Sequence, residues 1–125
     1  MATLREIVID CRDAPALARF WAAALDGYEV RAYDDAEVAR LAGLGLTPET
    51  DPTVAVDGPG PTLFLQQVPE AKTVKNRVHV DLSASDRSAE VVRLVDLGAR
   101  VVAQQDGWTV LGDPEGNEFC VADEH

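Results

Sequence analysis

The stretch that decides the fold is Asp113-Pro114-Glu115-Gly116-Asn117, followed at once by Glu118-Phe119-Cys120-Val121-Ala122. The first five residues are turn formers, because proline presets φ, glycine accepts positive φ, and Asp and Asn side chains bond to nearby backbone. The next five read as a strand, on which Glu118 and Cys120 share one face by the two-residue period. Upstream, Asp106-Gly107 is a strong two-residue hairpin signal between the strands Arg100–Gln104 and Trp108–Leu111. Gly98 closes a helix that contains Val91, Leu94, Val95 and Leu97, with Ser85 or Asp86 as its N-cap. Arg77-Val78-His79-Val80-Asp81-Leu82 reads as the strand before it. The order is therefore strand, helix, strand, strand, strand.

The same order occurs once earlier. Leu4–Cys11 reads as a strand, with Ile7, Ile9 and Cys11 on one face and Glu6, Val8 and Asp10 on the other. Asp13 caps a helix with Pro15 in its first turn, and Leu17, Phe20, Trp21, Ala24 and Leu25 recur at helical spacing. Gly27 ends it, and Tyr28–Tyr33 reads as a short strand. Asp34–Gly45 reads as a short helix with Val38 and Leu41 inward. After the loop Thr47–Pro52, the strands Thr53–Val56 and Pro61–Val68 flank the turn Asp57–Gly60. Pro69–Thr73 is the linker. Aligning Ile9-Asp10-Cys11 with Val80-Asp81-Leu82 places Gly27 on Gly98 and Val30 on Val101, an internal duplication found by shape. We read residues 1–125 as a single domain of two modules, 1–70 and 74–125.

Composition excludes several function classes. The 125 residues are 46% hydrophobic and 26% charged, ordinary for a globular domain and against disorder as the dominant state. The longest apolar run, Phe20–Leu25, is far short of the roughly 20 residues that a membrane span needs. The net charge of −11 disfavours nucleic acid and anionic lipid as partners. The two cysteines, Cys11 and Cys120, form no C-x-x-C pair, and no export signal is seen at Met1–Glu6, so both are read as reduced and the protein as cytoplasmic. Nucleotide-binding, P-loop and serine-hydrolase signatures do not occur.

This doubled βαβββ plan, with the D-P-E-G-N turn before the final strand, resembles the vicinal oxygen chelate superfamily. That group includes glyoxalase I, bleomycin-resistance proteins and extradiol dioxygenases. The stretches Phe64–Glu70 and Lys75–Leu82 look most like its glyoxalase-like subgroup. The resemblance implies an α+β fold of two βαβββ modules whose curved mixed sheets form a cleft, with helices on the outer faces. It also implies a homodimer. In metal-dependent members, four strands each supply a ligand. Carried over by position, these fall on Glu6, Gln66, His79 and Cys120. His79 matches the family type, and Glu6 and Gln66 are able to ligate. Cys120 departs from it, since a thiolate suits zinc better than the harder ions of oxygen-rich sites. The usual divalent metal site is thus expected to be degraded.

His79 is the candidate catalytic residue, a neutral-range acid/base or ligand contact, with a hydrogen-bonded cavity histidine as the plain alternative. Asp81 shares its face, and either orients the imidazole or pairs with Arg77, the latter being expected. Glu6, Asp10, Asp81 and Glu118 all point inward in this reading and would favour an amine-bearing ligand. Cys120 is a buried small side chain by default and a nucleophile only with a base beside it. Trp108 is placed to line a cavity mouth or stack on a planar ligand, whereas Phe20 and Trp21 are core. The functional expectation is a glyoxalase-like protein acting on or binding a small organic molecule. The ligand-binding candidates are Glu6, Gln66, Asp81, Trp108, Glu118 and Cys120. The alternative is a metal-free resistance-type protein that sequesters a small, cationic compound.

Overall fold

The computed structural model describes residues 1–124. It contains β1 (Glu6–Cys11), α1 (Ala14–Ala24), β2 (Glu29–Val30), α2 (Asp35–Gly43), β3 (Thr53–Asp57) and β4 (Thr62–Gln67). These are followed by β5 (Asp81–Ala84), α3 (Arg87–Leu97), β6 (Arg100–Gln105), β7 (Trp108–Gly112) and β8 (Glu118–Asp123). The fold is α+β, and the chain divides into two units, Met1–Ala71 and Lys72–His125. The first carries a sheet of order β1-β4-β3-β2 and the second a sheet of order β5-β8-β7-β6. In each, the first strand runs parallel to the last, and the other neighbours are antiparallel.

In the first unit, Asp13 caps α1 by accepting from the Ala16 N–H at 3.1 Å, and Pro15 occupies the first turn, where a missing donor is harmless. The helix buries Leu17, Phe20, Trp21 and Ala24. They meet the sheet face that carries Cys11, Val54, Val56, Leu63 and Leu65, all buried. Each large apolar side chain removed from water here is worth about 1.5–3 kcal/mol. Phe20 and Trp21 meet edge to face with centroids 5.3 Å apart. The opposite face of this sheet carries Glu6, Val8, Asp10, Phe64 and Gln66 by the register Asp10↔Gln66 and Val8↔Phe64.

The second unit repeats this plan with a smaller core. Asp86, not Ser85, caps α3, accepting from the Ala89 N–H at 3.0 Å. Val91 and Leu94 are buried on the helix, with Leu111, Phe119 and Val121 buried on the strands. Gly98 ends the helix at φ +122°, with Pro114 of the turn packed against it.

The structure departs from this reading, or adds to it, at several points. The strand read as Tyr28–Tyr33 is only Glu29–Val30, because the chain is taken over by side chains beyond it. Arg31 forks onto Asp57 with contacts of 2.8 and 2.9 Å, Tyr33 donates to Asp51, and Asp34 caps α2. That helix, inserted between β2 and β3, makes the first module βαβαββ rather than a plain copy of the second. Val38 is exposed and Leu41 alone is buried on α2, so one face of the short helix rests on a single leucine. In α3, Leu97 lies about 120° round the axis from Val91 and is exposed, as is Val95 at the margin. The strand read as Arg77–Leu82 begins only at Asp81, and its reason lies in the site.

Candidate functional site

The D-P-E-G-N turn is built on a buried carboxylate. Asp113 is 1% exposed. Its Oδ1 accepts the N–H groups of Glu115 and Asn117, both at 2.9 Å, and its Oδ2 accepts from Asn117 Nδ2 at 3.0 Å. The Asp113 N–H in turn donates to the Asn117 carbonyl. A charged acceptor with three short donors makes a stiff corner. That corner delivers β8 in fixed register, with Phe119 and Val121 toward α3 and Glu118, Cys120 and Ala122 on the opposite face.

Glu118 then organises the segment before β5. Lys72 Nζ lies 3.0 Å from Glu118 Oε1 and also donates to the Val74 carbonyl, while the Asn76 N–H reaches Glu118 Oε2 at 3.0 Å. Burial alone would raise the Glu118 carboxyl. The Asn76 N–H and the Lys72 ammonium outweigh it and bring the pKa down to about 2. The chain from Lys72 to Val80 is thus anchored by a side chain rather than by a ladder. This is why Arg77–Val80 alternates like a strand without forming one. Its ladder-type bond among the described residues is Cys120 N–H to the Val80 carbonyl, at 3.0 Å.

From Asp81 onward the parallel pairing begins, and it sets Asp81 directly opposite Cys120. His79 Nε2 lies 3.2 Å from Asp81 Oδ1. The expected Asp81–Arg77 pair is therefore replaced by Asp81–His79: two residues on one face of an extended segment are neighbours, and the imidazole is within reach. One donor atom each from His79, Asp81 and Cys120 lie within 4.8 Å of one another. Cys120 is 9% exposed, and burial first, then the Asp81 charge and a hydrogen bond to that carboxylate, push its thiol pKa up. Lys75 pulls the other way but is outweighed, so the thiol resists ionisation and Cys120 is a poor nucleophile.

These residues border a cavity of about 880 Å³ on the sheet face opposite α3. Its floor is apolar: Val102, Trp108, Val110, Cys120 and Ala122. Trp108 is 43% exposed at its edge. Asp81, Glu118, Asp123 and Glu124 carry carboxylates around it, against Lys75 and His79. A space this size with a few convergent polar groups has the form of a small-molecule pocket. Val110 and Ala122 were not singled out from sequence, although the two-residue period from Trp108 and Cys120 points to them. Lys75 was also missed, despite being one of only two lysines in the chain.

Glu6 and Gln66 belong to the first unit. Glu6 lies 3.6 Å from Arg5. Gln66 Nε2 donates to Asp10 Oδ1 at 3.3 Å. The repeat is visible here: Asp10 faces Gln66 across β1 and β4 as Asp81 faces Cys120 across β5 and β8. On that alignment Val8, not Glu6, stands where His79 stands. The four carboxylates expected to crowd one another each have a partner: Arg5 for Glu6, Gln66 for Asp10, His79 for Asp81 and Lys72 for Glu118.

Residues 6–122 match the family model of the glyoxalase-like domain. The chain belongs to that family. Among proteins with curated descriptions, none matches it. Solved structures similar to this glyoxalase-like domain include a glyoxalase/bleomycin resistance protein/dioxygenase family enzyme from Burkholderia phytofirmans PsJN. That protein is 15% identical, with 98% of each chain covered and a TM-score of 0.69. The fosfomycin resistance protein FosX from Mesorhizobium loti is 13% identical, with 98% of this chain and 91% of that one covered and a TM-score of 0.68. FosX from Listeria monocytogenes is 10% identical, with 100% and 93% covered and a TM-score of 0.69. At such identities the shared property is the fold, that of the vicinal oxygen chelate superfamily, whose members often use a divalent metal. The donors that the second unit brings together are one imidazole, one carboxylate and one thiol. This set fits a borderline-soft tetrahedral ion and not a hard ion that needs six oxygens.

Proposed function

We propose that this glyoxalase-like domain takes a small organic molecule into the cavity of its second unit. Trp108 lies against the flat or apolar part of the ligand, and the His79–Asp81 pair meets its polar atoms. The observation that carries this reading is the 880 Å³ cavity, with an apolar floor and His79, Asp81 and Cys120 clustered at its polar side. The imidazole, held by Asp81, is placed to act as an acid, a base or a hydrogen-bond partner toward a bound molecule. In keeping with the superfamily, we take the assembly to be a homodimer and the compartment to be the cytoplasm.

A second reading is a resistance-type binder that sequesters a cationic compound. It is favoured by the four carboxylates at the same cavity, Asp81, Glu118, Asp123 and Glu124, which outnumber the cations Lys72, Lys75 and Arg87 beside them, and by the net charge of −11.

Both readings predict that a panel of apolar amines and neutral aromatics contains compounds that raise the melting temperature and quench Trp108 fluorescence. Trp21 is buried in the other unit, so the signal is specific. Trp108→Ala should weaken such binding about tenfold, the loss of one stacked ring at ~1–1.5 kcal/mol. A panel with no hit, or hits indifferent to Trp108→Ala, would sink the placement. His79→Ala separates enzyme from binder: turnover falls by two or more orders of magnitude in the first, and affinity falls only a few-fold in the second.

A further inference from the structure

We propose that the second unit alone holds a zinc-type cation on His79, Asp81 and Cys120. This differs from a four-strand ligand set drawn from both modules. All three donors come from one unit, and Asp81 takes a ligand position that the family pattern does not give it. The inference is independent of which organic molecule the cavity takes.

Three observations carry it. The donor atoms lie within 4.8 Å of one another. Tetrahedral zinc, with bonds of ~2.0–2.1 Å to nitrogen or oxygen and ~2.3 Å to sulfur, sets its ligand atoms roughly 3.3–3.6 Å apart. The His79–Asp81 separation of 3.2 Å is already close to that range, and the sulfur, within 4.8 Å of both, needs to close by no more than roughly 1.5 Å. The backbone that holds the donors is also fixed. Asp81 and Cys120 are direct partners in the β5–β8 pair, and the Cys120 N–H holds the Val80 carbonyl next to His79. Finally, the donor set is mixed and soft, with Cys120 buried and the imidazole and carboxylate facing the cavity. Three protein ligands leave a fourth position open toward the cavity. Among divalent ions this composition selects zinc, and cobalt as its spectroscopic substitute, over manganese, magnesium and calcium.

The test is titration of the full chain with cobalt(II), followed by its thiolate-to-metal charge-transfer absorption, then displacement by zinc. We expect one equivalent, a charge-transfer band, and full displacement by zinc but not by magnesium. Cys120→Ser should abolish the band while leaving the circular dichroism unchanged. Asp81→Asn, a surface-side change that cannot unpack the core, should weaken cobalt at least tenfold. Glu6→Ala and Gln66→Ala should leave affinity and band unchanged. The proposal is overturned if cobalt does not bind, if it binds without a thiolate band, if Asp81→Asn binds as well as the parent, or if Glu6→Ala or Gln66→Ala removes the ion. None of these outcomes depends on the organic-ligand panel, so either reading can fail alone.

Discussion

Asp57 shows how one exposed carboxylate ties three strands at once. It ends β3, receives the Arg31 guanidinium at 2.8 and 2.9 Å from beyond β2, and accepts from the Thr62 hydroxyl of β4 at 2.7 Å. The Arg31 hydrogen bonds, followed by that of Thr62, hold its carboxyl below the usual aspartate range. A lowered folded-state pKa means that the contribution is complete above the ordinary range near 3.8 and fades as pH falls below it. Asp57→Asn should therefore cost up to about 1 kcal/mol at pH 7. The gap to the parent should narrow on acidification toward pH ~2, as Asp57 takes up its proton. Urea unfolding at the two pH values measures it. A gap that persists at the lower pH would assign the cost to lost packing instead.

At the scale of elements, the end of α3 depends on Gly98. Its φ of +122° is a backbone conformation that L side chains rarely adopt, and an added Cβ would lie 3.3 Å from Pro114 Cγ. Gly98→Ala should destabilise the fold by roughly 1–3 kcal/mol and loosen the corner before β8. Thermal unfolding checks the first effect, and hydrogen exchange at Gly116 and Asn117 the second. An unchanged melting temperature would contradict the strain argument. Glycine and the D-P-E-G-N stretch are local signals, which is why the three helices and the hairpin at Asp106-Gly107 are legible in sequence. The start of β5 was not. Arg77–Val80 has the alternation of a strand, but a carboxylate some forty residues further on holds the chain before it, and no local pattern reports that. Of the residues that border the cavity, His79, Cys120 and Trp108 stand out in the sequence by residue type. The sequence alone does not choose between His79 and Arg77 as the partner of Asp81, and the facing of Asp81 and Cys120 is a fact of long-range register. Glu118 was seen as a cavity carboxylate, but its work in anchoring Lys72 and Asn76 was not.

Over the whole molecule, charge dominates behaviour. The excess of Asp and Glu gives −11 at neutrality, and the isoelectric point falls near pH 4.4. Solubility should pass through a minimum close to that pH and recover on either side, as light scattering across pH 3–7 would show. A minimum more than a unit away would mean that strong pairing displaces the titration of many carboxylates at once. No helix among the described residues is long and apolar enough to cross a membrane. Each unit also shares one closing rule: its first strand lies beside its last, β1 with β4 and β5 with β8. Asp81 meets Cys120 only through that closure. During synthesis, the stretch up to β7 emerges with His79 and Asp81 in hand and no sulfur opposite them. A nascent chain therefore cannot present the three-donor set piecemeal, and capture of an ion or ligand is deferred until the segment bearing Cys120 has left the ribosome and threaded between β5 and β7.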